Sequence, residues 1–399
     1  MWALRGVWRS ITDYPLCVFT ALAFINGAVA FVLLLAYSST NRTIEECEAR
    51  ESIALRKHGR DGGDDALRNT TCPLGFLINS RGRKLYYRVL TPDDGDARCL
   101  MVLLHGYAAH FNRPTYMVFL RDLLAKGIAV ATLDLEGHGY SEGVRCFIED
   151  GALMVDDAEQ FVELIASGKA LVSQLGTPGV TAPGATSTAG EAIAGLPLFL
   201  GGQSMGGGLA LLLSRRVCAR FEHFRGCVLL CPAFACRLPP VPVVFFLRHV
   251  VAAMFPLSAM PAFLDATFDG TANWRGEALA RWHARDVIGT PGGLGWGGAM
   301  RWGTAASLLG VIDDAQAALP GAAFPLLLLH DPSDRVVPFE DARRLLARAV
   351  SEDRTVVEMR GSLHDQMCNS PAELSRIIEA WMGPRCKTPQ SAKTSGLLS

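Results

Sequence analysis

Short apolar runs of strand length alternate with helix-length amphipathic segments through most of this 399-residue chain. The alternation predicts an α/β fold with a mostly parallel sheet covered by helices on both faces. Two observations sharpen the prediction. Several runs end in residues that carry chemistry, at the strand ends where open parallel sheets build their sites. One run, Leu198 to Leu200, passes through Gly202-Gln203-Ser204-Met205-Gly206 into a helical segment, a G-x-S-x-G pattern with a buried strand before it and a helix after it.

Taken in order, residues 1–15 carry Arg5 and Arg9, and residues 16–37 form an uncharged apolar stretch. About 20 such residues span a bilayer as a helix. Glutamates at 45, 46, 48 and 51 follow, so the basic flank puts 1–15 in the cytoplasm and makes 16–37 a single-pass transmembrane signal-anchor. The sequons at Asn41 and Asn69 agree with a lumenal or extracellular body. Residues 38–74 are polar and read as a stalk. Gly75 to Asn79 and Lys84 to Leu90 look like a hairpin, followed by strands at Cys99 to Leu104 and Ile128 to Leu133, with a helix at Tyr116 to Ala125 between them. Ala152 to Ile165 has helical periodicity. Residues 172–195, rich in small residues with two prolines, read as a flexible insertion in a first core half spanning 75–234. Within residues 235–302, Leu238 to Phe268 is densely apolar with interspersed prolines, which argue against one continuous spanning helix, and tryptophans and glycines crowd Trp274 to Trp302. A second core half, 303–383, holds strands at Phe324 to Leu329 and Thr355 to Met359 and a closing helix from Pro371; the tail, 384–399, reads as disordered.

Net charge is −1, with 50% hydrophobic and 19% charged residues, which leaves no basic face for nucleic acid. The 11 cysteines include no C-x-x-C pair, and no His/Cys cluster has zinc-ligand spacing, so no metal is expected. Cys227 and Cys231 read as buried strand residues, and Cys47 and Cys72 could pair in an oxidising compartment.

Glycine two residues either side of a serine is what a tight strand-to-helix turn requires, since a Cβ there would collide with the turn itself. A second match, Gly139-Tyr140-Ser141-Glu142-Gly143, lacks a following helix and sets a carboxylate beside its serine, so Ser141 reads as a loop residue and Ser204 as the nucleophile. A serine nucleophile needs a base, and the base needs a carboxylate that fixes its tautomer. Of the nine histidines, only His364 follows the last strand. Between Asp331 and Asp334, Asp334 lies further round its loop and can turn back toward that histidine. The order Ser204, Asp334, His364 on successive strand ends is that of one fold class.

His105-Gly106, Gly137-His138-Gly139-Tyr140-Ser141, Gly202-Gln203-Ser204-Met205-Gly206-Gly207, Asp334 and His364-Asp365 resemble the α/β-hydrolase superfamily, and within it the monoglyceride lipase and lysophospholipase group. The resemblance covers roughly Gly75 to Met382. It implies an oxyanion hole from the backbone N–H groups of Tyr107 and Met205, and a lid over an acyl pocket between Phe234 and about Trp302. Gln203 stands where the group usually has His, and Tyr107 is bulkier than the small residue common there, which should narrow the alcohol side of the site.

The expectation is a membrane-anchored serine hydrolase that cleaves a single-chain lipid ester, a monoacylglycerol above others, through an acyl-enzyme and without a cofactor. The alternatives are a lysophospholipase or general carboxylesterase, an acyltransferase using the same acyl-enzyme, and a non-catalytic lipid-binding scaffold.

Overall fold

The computed structural model describes residues 75–92, 96–170, 172–174, 188–261, 265, 273–287 and 293–386. The expected cytoplasmic segment, anchor and stalk (1–74), most of the 172–195 insertion and residues 387–399 lie outside them. Among the described residues no helix is long and apolar enough to cross a membrane.

Nine strands form one sheet: β1 (Gly75–Ile78), β2 (Lys84–Thr91), β3 (Cys99–Leu104), β4 (Ile128–Leu133), β5 (Ser173–Gln174), β6 (Leu198–Gln203), β7 (Phe224–Leu230), β8 (Leu326–His330) and β9 (Arg354–Glu358). Their order is β1-β2-β4-β3-β6-β7-β8-β9, with β5 beside β2. Only the β1/β2 and β2/β4 pairings are antiparallel. Every residue of β3, β4 and β6 is buried, as expected for parallel strands covered on both faces. Edge strand β9 keeps alternate residues exposed.

Among the described residues ten α-helices of four or more residues complete the fold: α1 (Pro114–Leu124), α2 (Gly151–Ala166), α3 (Thr188–Ala194), α4 (Met205–Val217), α5 (Val241–Phe246), α6 (Gly276–Arg285), α7 (Trp302–Ala318), α8 (Phe339–Leu346), α9 (Gln366–Asn369) and α10 (Pro371–Met382). The period-two alternation of β3 divides the core. Leu100, Val102 and Leu104 join α2, α4 and α7 on one face, while Cys99, Met101 and Leu103 join α1 and α10 on the other. Each large apolar side chain removed from water in these layers contributes about 1.5–3 kcal/mol.

Both ends of the 172–195 insertion are built into the body: β5 pairs with β2, and α3 sends Ile193 into the core beside Val172. The tail is ordered through Cys386, because Arg385 makes a two-pronged ion pair with Asp353 and stacks over Trp381.

Between β7 and α7 the chain leaves the sheet. α5 runs through a π turn (Leu247–Val251) into Ala252–Met254, and the segment returns with Ala259 bridged to Arg301. Arg301 fastens it: fully buried, it donates to the carbonyls of Arg145 (3.0 Å) and Leu257 (2.6 Å) and lies over the Trp296 ring. Replacing Arg301 by Leu strands both carbonyls, so unfolding in urea should show a loss of about 2–4 kcal/mol. A loss below about 0.5 kcal/mol would mean that the segment is fastened elsewhere.

Candidate active site

Ser204 stands at the β6–α4 junction with φ 54° and ψ −119°, a strained backbone for a residue with a side chain. Its neighbours make that possible. A Cβ on Gly202 would fall 2.1 Å from the Gly206 carbonyl oxygen, and one on Gly206 would fall 2.2 Å from that of Leu104. The turn is held from both sides: Ser204 N–H donates to Leu230, and the Ser204 carbonyl accepts from Gly207, Gly208 and Ala233.

At the end of β8, Asp334 accepts from His364 Nδ1 (2.8 Å) and contacts His330 Nε2 (3.1 Å) through Oδ2, while its Oδ1 takes the Val336 and Val337 amides. Burial pushes the Asp334 carboxyl up, but the charge of His364 and the hydrogen bonds from His330 and His364 outweigh it and hold the group well below the usual carboxylate range. Asp331 does something different. It accepts from the amides of Ser333 and Leu363, fixing the turn (Leu363 φ 53°) that presents His364. Ser204 and His364 border the same cavity, with no hydrogen bond formed between them.

The Tyr107 and Met205 amides donate to no other group among the described residues, and Met205 opens α4, whose first N–H groups have no partner within the helix. Gly106 lets the β3 turn pass against Ser204, since a Cβ there would lie 3.3 Å from the serine Cβ. His105 shapes this turn from below, donating from Nδ1 to Gly106 (2.8 Å) and accepting the Leu135 amide on Nε2 (3.0 Å). Burial pushes its pKa down to about 3, so the ring is neutral. His138 is held similarly: burial first, then the neighbouring His105, bring it to about 3.

Two cavities meet at Ser204. One, about 210 Å³, is apolar and framed by Val244 and Leu247 of the inserted segment, Met260, Trp302 and Leu308. The other, about 450 Å³, is the more polar of the two and holds Arg113, Asp265, His283, Asp286 and Asp365. Tyr107 lines both, with its buried hydroxyl unpartnered by protein.

The polar side was not legible in the sequence. Arg113 bridges Asp286 (3.1 Å) and Asp365 (3.9 Å), and His110 also reaches Asp286 (2.9 Å). Asp365 accepts from Gln203, Tyr116, Trp274 and the Cys368 amide, so Gln203 serves as a tether between the turns of Ser204 and His364. Two groups of possible metal ligands occur among the described residues, Cys231/Asp334/His364 and His283/Asp365/Cys368. Neither suits a cation. The His364–Asp334 bond occupies the first, and in the second Asp365 has its lone pairs taken and Arg113 beside it.

A profile of the family described as "Serine aminopeptidase, S33" matches residues 95–174 and 184–371. The chain belongs to this family. It is a serine ester hydrolase of the α/β-hydrolase fold. It is 27% identical to a human monoglyceride lipase over 80% of this chain and 93% of the relative, and 27% identical to a monoacylglycerol lipase of Mycolicibacterium smegmatis over 73% and 89%. Among solved structures, the fold matches a monoacylglycerol lipase of Paleococcus ferrophilus (TM-score 0.56, 23% identity, 75% of this chain and 99% of that one). It also matches a soluble variant of the Saccharomyces cerevisiae monoglyceride lipase in complex with a substrate analogue (TM-score 0.59, 16% identity, 79% and 96%).

Gly206→Ala should separate turn geometry from side-chain chemistry: with every polar group kept, turnover should fall at least about 100-fold and stability by about 2–4 kcal/mol. Turnover within threefold of wild type would show that the turn tolerates a Cβ. A second expectation concerns acid. His105 and His138 are held neutral with pKa values of about 3, so an unfolded chain, titrating near 6.5, binds more protons between those limits. Their contribution is complete above pH 6.5 and drains away as pH falls toward 3. Urea midpoints should therefore drop between pH 7 and 4.5, and His138→Gln should flatten the slope by up to about 1.4 kcal/mol per pH unit. An unchanged slope would mean that His138 charges without penalty.

Proposed function

We propose that this protein is a membrane-held monoacylglycerol lipase, converting a monoacylglycerol and water to glycerol and a fatty acid. The observation that carries the reading is the meeting of an apolar and a polar cavity at the strained Ser204, beside the His364–Asp334 pair. The acyl chain enters the apolar cavity, where each buried CH₂ contributes about 0.8 kcal/mol. Glycerol occupies the polar one.

Ser204 Oγ attacks the ester carbonyl carbon, and His364 Nε2 takes the hydroxyl proton. Asp334 holds Nδ1–H, which fixes the tautomer and stabilises the imidazolium. The amides of Tyr107 and Met205 receive the oxyanion, each such donor being worth about 10²–10³ in turnover. His364 then passes its proton to the departing glycerol oxygen. Water, deprotonated by the same ring, attacks the acyl-enzyme, and the fatty acid leaves as Ser204 regains its proton.

A lysophospholipase is the nearest alternative, and the charge of the polar cavity favours the monoacylglycerol. Among the described residues Asp286 and Asp365 face it, and the guanidinium of Arg113 is already engaged by both of them. A phosphate there meets more repulsion than attraction. Residues 16–37 supply the anchor, with the body lumenal or extracellular. Exposed Leu238, Val241, Phe245 and Met254 on the inserted segment suit a lid facing the bilayer that holds the substrate.

Ser204→Ala should abolish labelling by a fluorophosphonate probe and lower monoacylglycerol turnover at least about 10³-fold, and Asp334→Asn should lower it by about 10⁴. Labelling of the alanine variant would move the nucleophile elsewhere, and absence of labelling in wild type would support a binding scaffold. In a substrate panel, monoacylglycerols should exceed lysophospholipids of the same acyl chain at least tenfold in kcat/KM; the reverse order would install the lysophospholipase reading. Glycosidase-insensitive mobility together with digestion by protease outside sealed vesicles would reverse the proposed topology.

A further inference from the structure

The C-terminal turn docks on the strand that leads into the His105-Gly106 turn. Cys99, the first residue of β3, is buried, and Cys386, at the end of the turn after α10, packs half-buried on the same apolar cluster. Both thiols are free, and the Arg98–Glu379 contact, 3.2 Å, holds α10 beside the start of β3 so that the two cysteines face the same packing. The Arg385–Asp353 ion pair holds the turn in place.

The two sulfurs are not equivalent. The hydrogen bond from Cys99 lowers the Cys386 thiol below its ordinary range; burial opposes this, and the Arg98 guanidinium, paired with Glu379 at 3.2 Å, adds to it. Cys99 moves the opposite way, raised by the same hydrogen bond and by burial. Cys386 is thus both the more accessible sulfur and the one nearer to a thiolate, the pairing of properties that makes a thiol reactive.

We propose that Cys99 and Cys386 are a disulfide-forming pair that fastens the C-terminal turn to β3 wherever the body meets an oxidising environment. With glutathione disulfide as oxidant, the Cys386 thiolate attacks one sulfur of it and expels a glutathione thiolate, leaving a mixed disulfide. Cys99 gives up its proton to that thiolate and attacks the Cys386 sulfur, expelling the second glutathione. The protein loses two hydrogens, and one glutathione disulfide becomes two glutathione thiols. The crosslink spans nearly the whole folded body, where loop closure restricts the unfolded chain most.

The test uses the full-length chain in detergent micelles, equilibrated in glutathione buffers from fully reduced to fully oxidised, then unfolded, alkylated and digested. Mass mapping should find a peptide pair joining Cys99 to Cys386 that accumulates with the oxidised fraction and disappears with dithiothreitol. The oxidised form should melt at least about 3 °C above the reduced one. Cys386→Ser should keep its turnover and lose both the crosslink and the redox dependence of Tm. Alkylated Cys99 and Cys386 under fully oxidising conditions, Cys386 recovered only as a glutathione adduct, or either cysteine joined elsewhere would each overturn the proposal.

Discussion

The backbone of one residue sets the terms for the rest of this molecule. Ser204 occupies a left-handed conformation that costs on the order of 1–3 kcal/mol, and such a conformation persists only where its surroundings over-determine it. Here they do. The Ser204 amide is claimed by β7, its carbonyl by three amides, and the glycines around it leave no space for a side chain. The same close contact between Gly206 and the end of β3 brings the His105-Gly106 turn against the serine, so the serine turn and the turn carrying the Tyr107 amide share one piece of packing.

A second principle is the pairing of buried charge. Taking a lone ion from water costs several kcal/mol, so buried ions need partners. Arg113 lies between Asp286 and Asp365, and Asp334 is surrounded by two imidazoles and two amides. The histidines under the site take the other route: both are neutral, His105 bonded through one donor and one acceptor and His138 donating from Nδ1 to the Glu136 carbonyl with its buried Nε2 unpartnered by protein. Positive charge is thereby kept out of the floor of the site, and His364 stands opposite the one carboxylate that orients it.

Much of this was legible in the sequence, for a physical reason. Parallel strands buried on both faces must be continuous apolar runs, and β3, β4, β6 and β8 are such runs. The glycine spacing around Ser204 follows from sterics alone, and the choice of Asp334 over Asp331 followed from reach round a loop; in the structure Asp334 is the one bonded to His364, while Asp331 braces the backbone before it. What stayed hidden lacks periodicity. Arg113, Asp286 and Asp365 belong to separate loops and helix ends, and nothing local marks them as partners. The ordered ends of the 172–195 insertion hide behind small residues, and the order of Pro384 to Cys386 rests on Arg385 finding an aspartate on another element.

Because two chambers of different lining meet at Ser204, the proposed chemistry acquires a direction. Once the first bond is cut, the fatty chain stays tethered in its greasy slot while glycerol departs through the wet one, and whatever resolves the tether must arrive by the route just vacated. The occupant of that vestibule, water or a second alcohol, then decides whether the acyl group is discarded or handed on. The walls that choose it are Arg113, Asp286, Asp365 and the unpartnered hydroxyl of Tyr107, which makes partition between hydrolysis and transfer a property of the vestibule rather than of the serine.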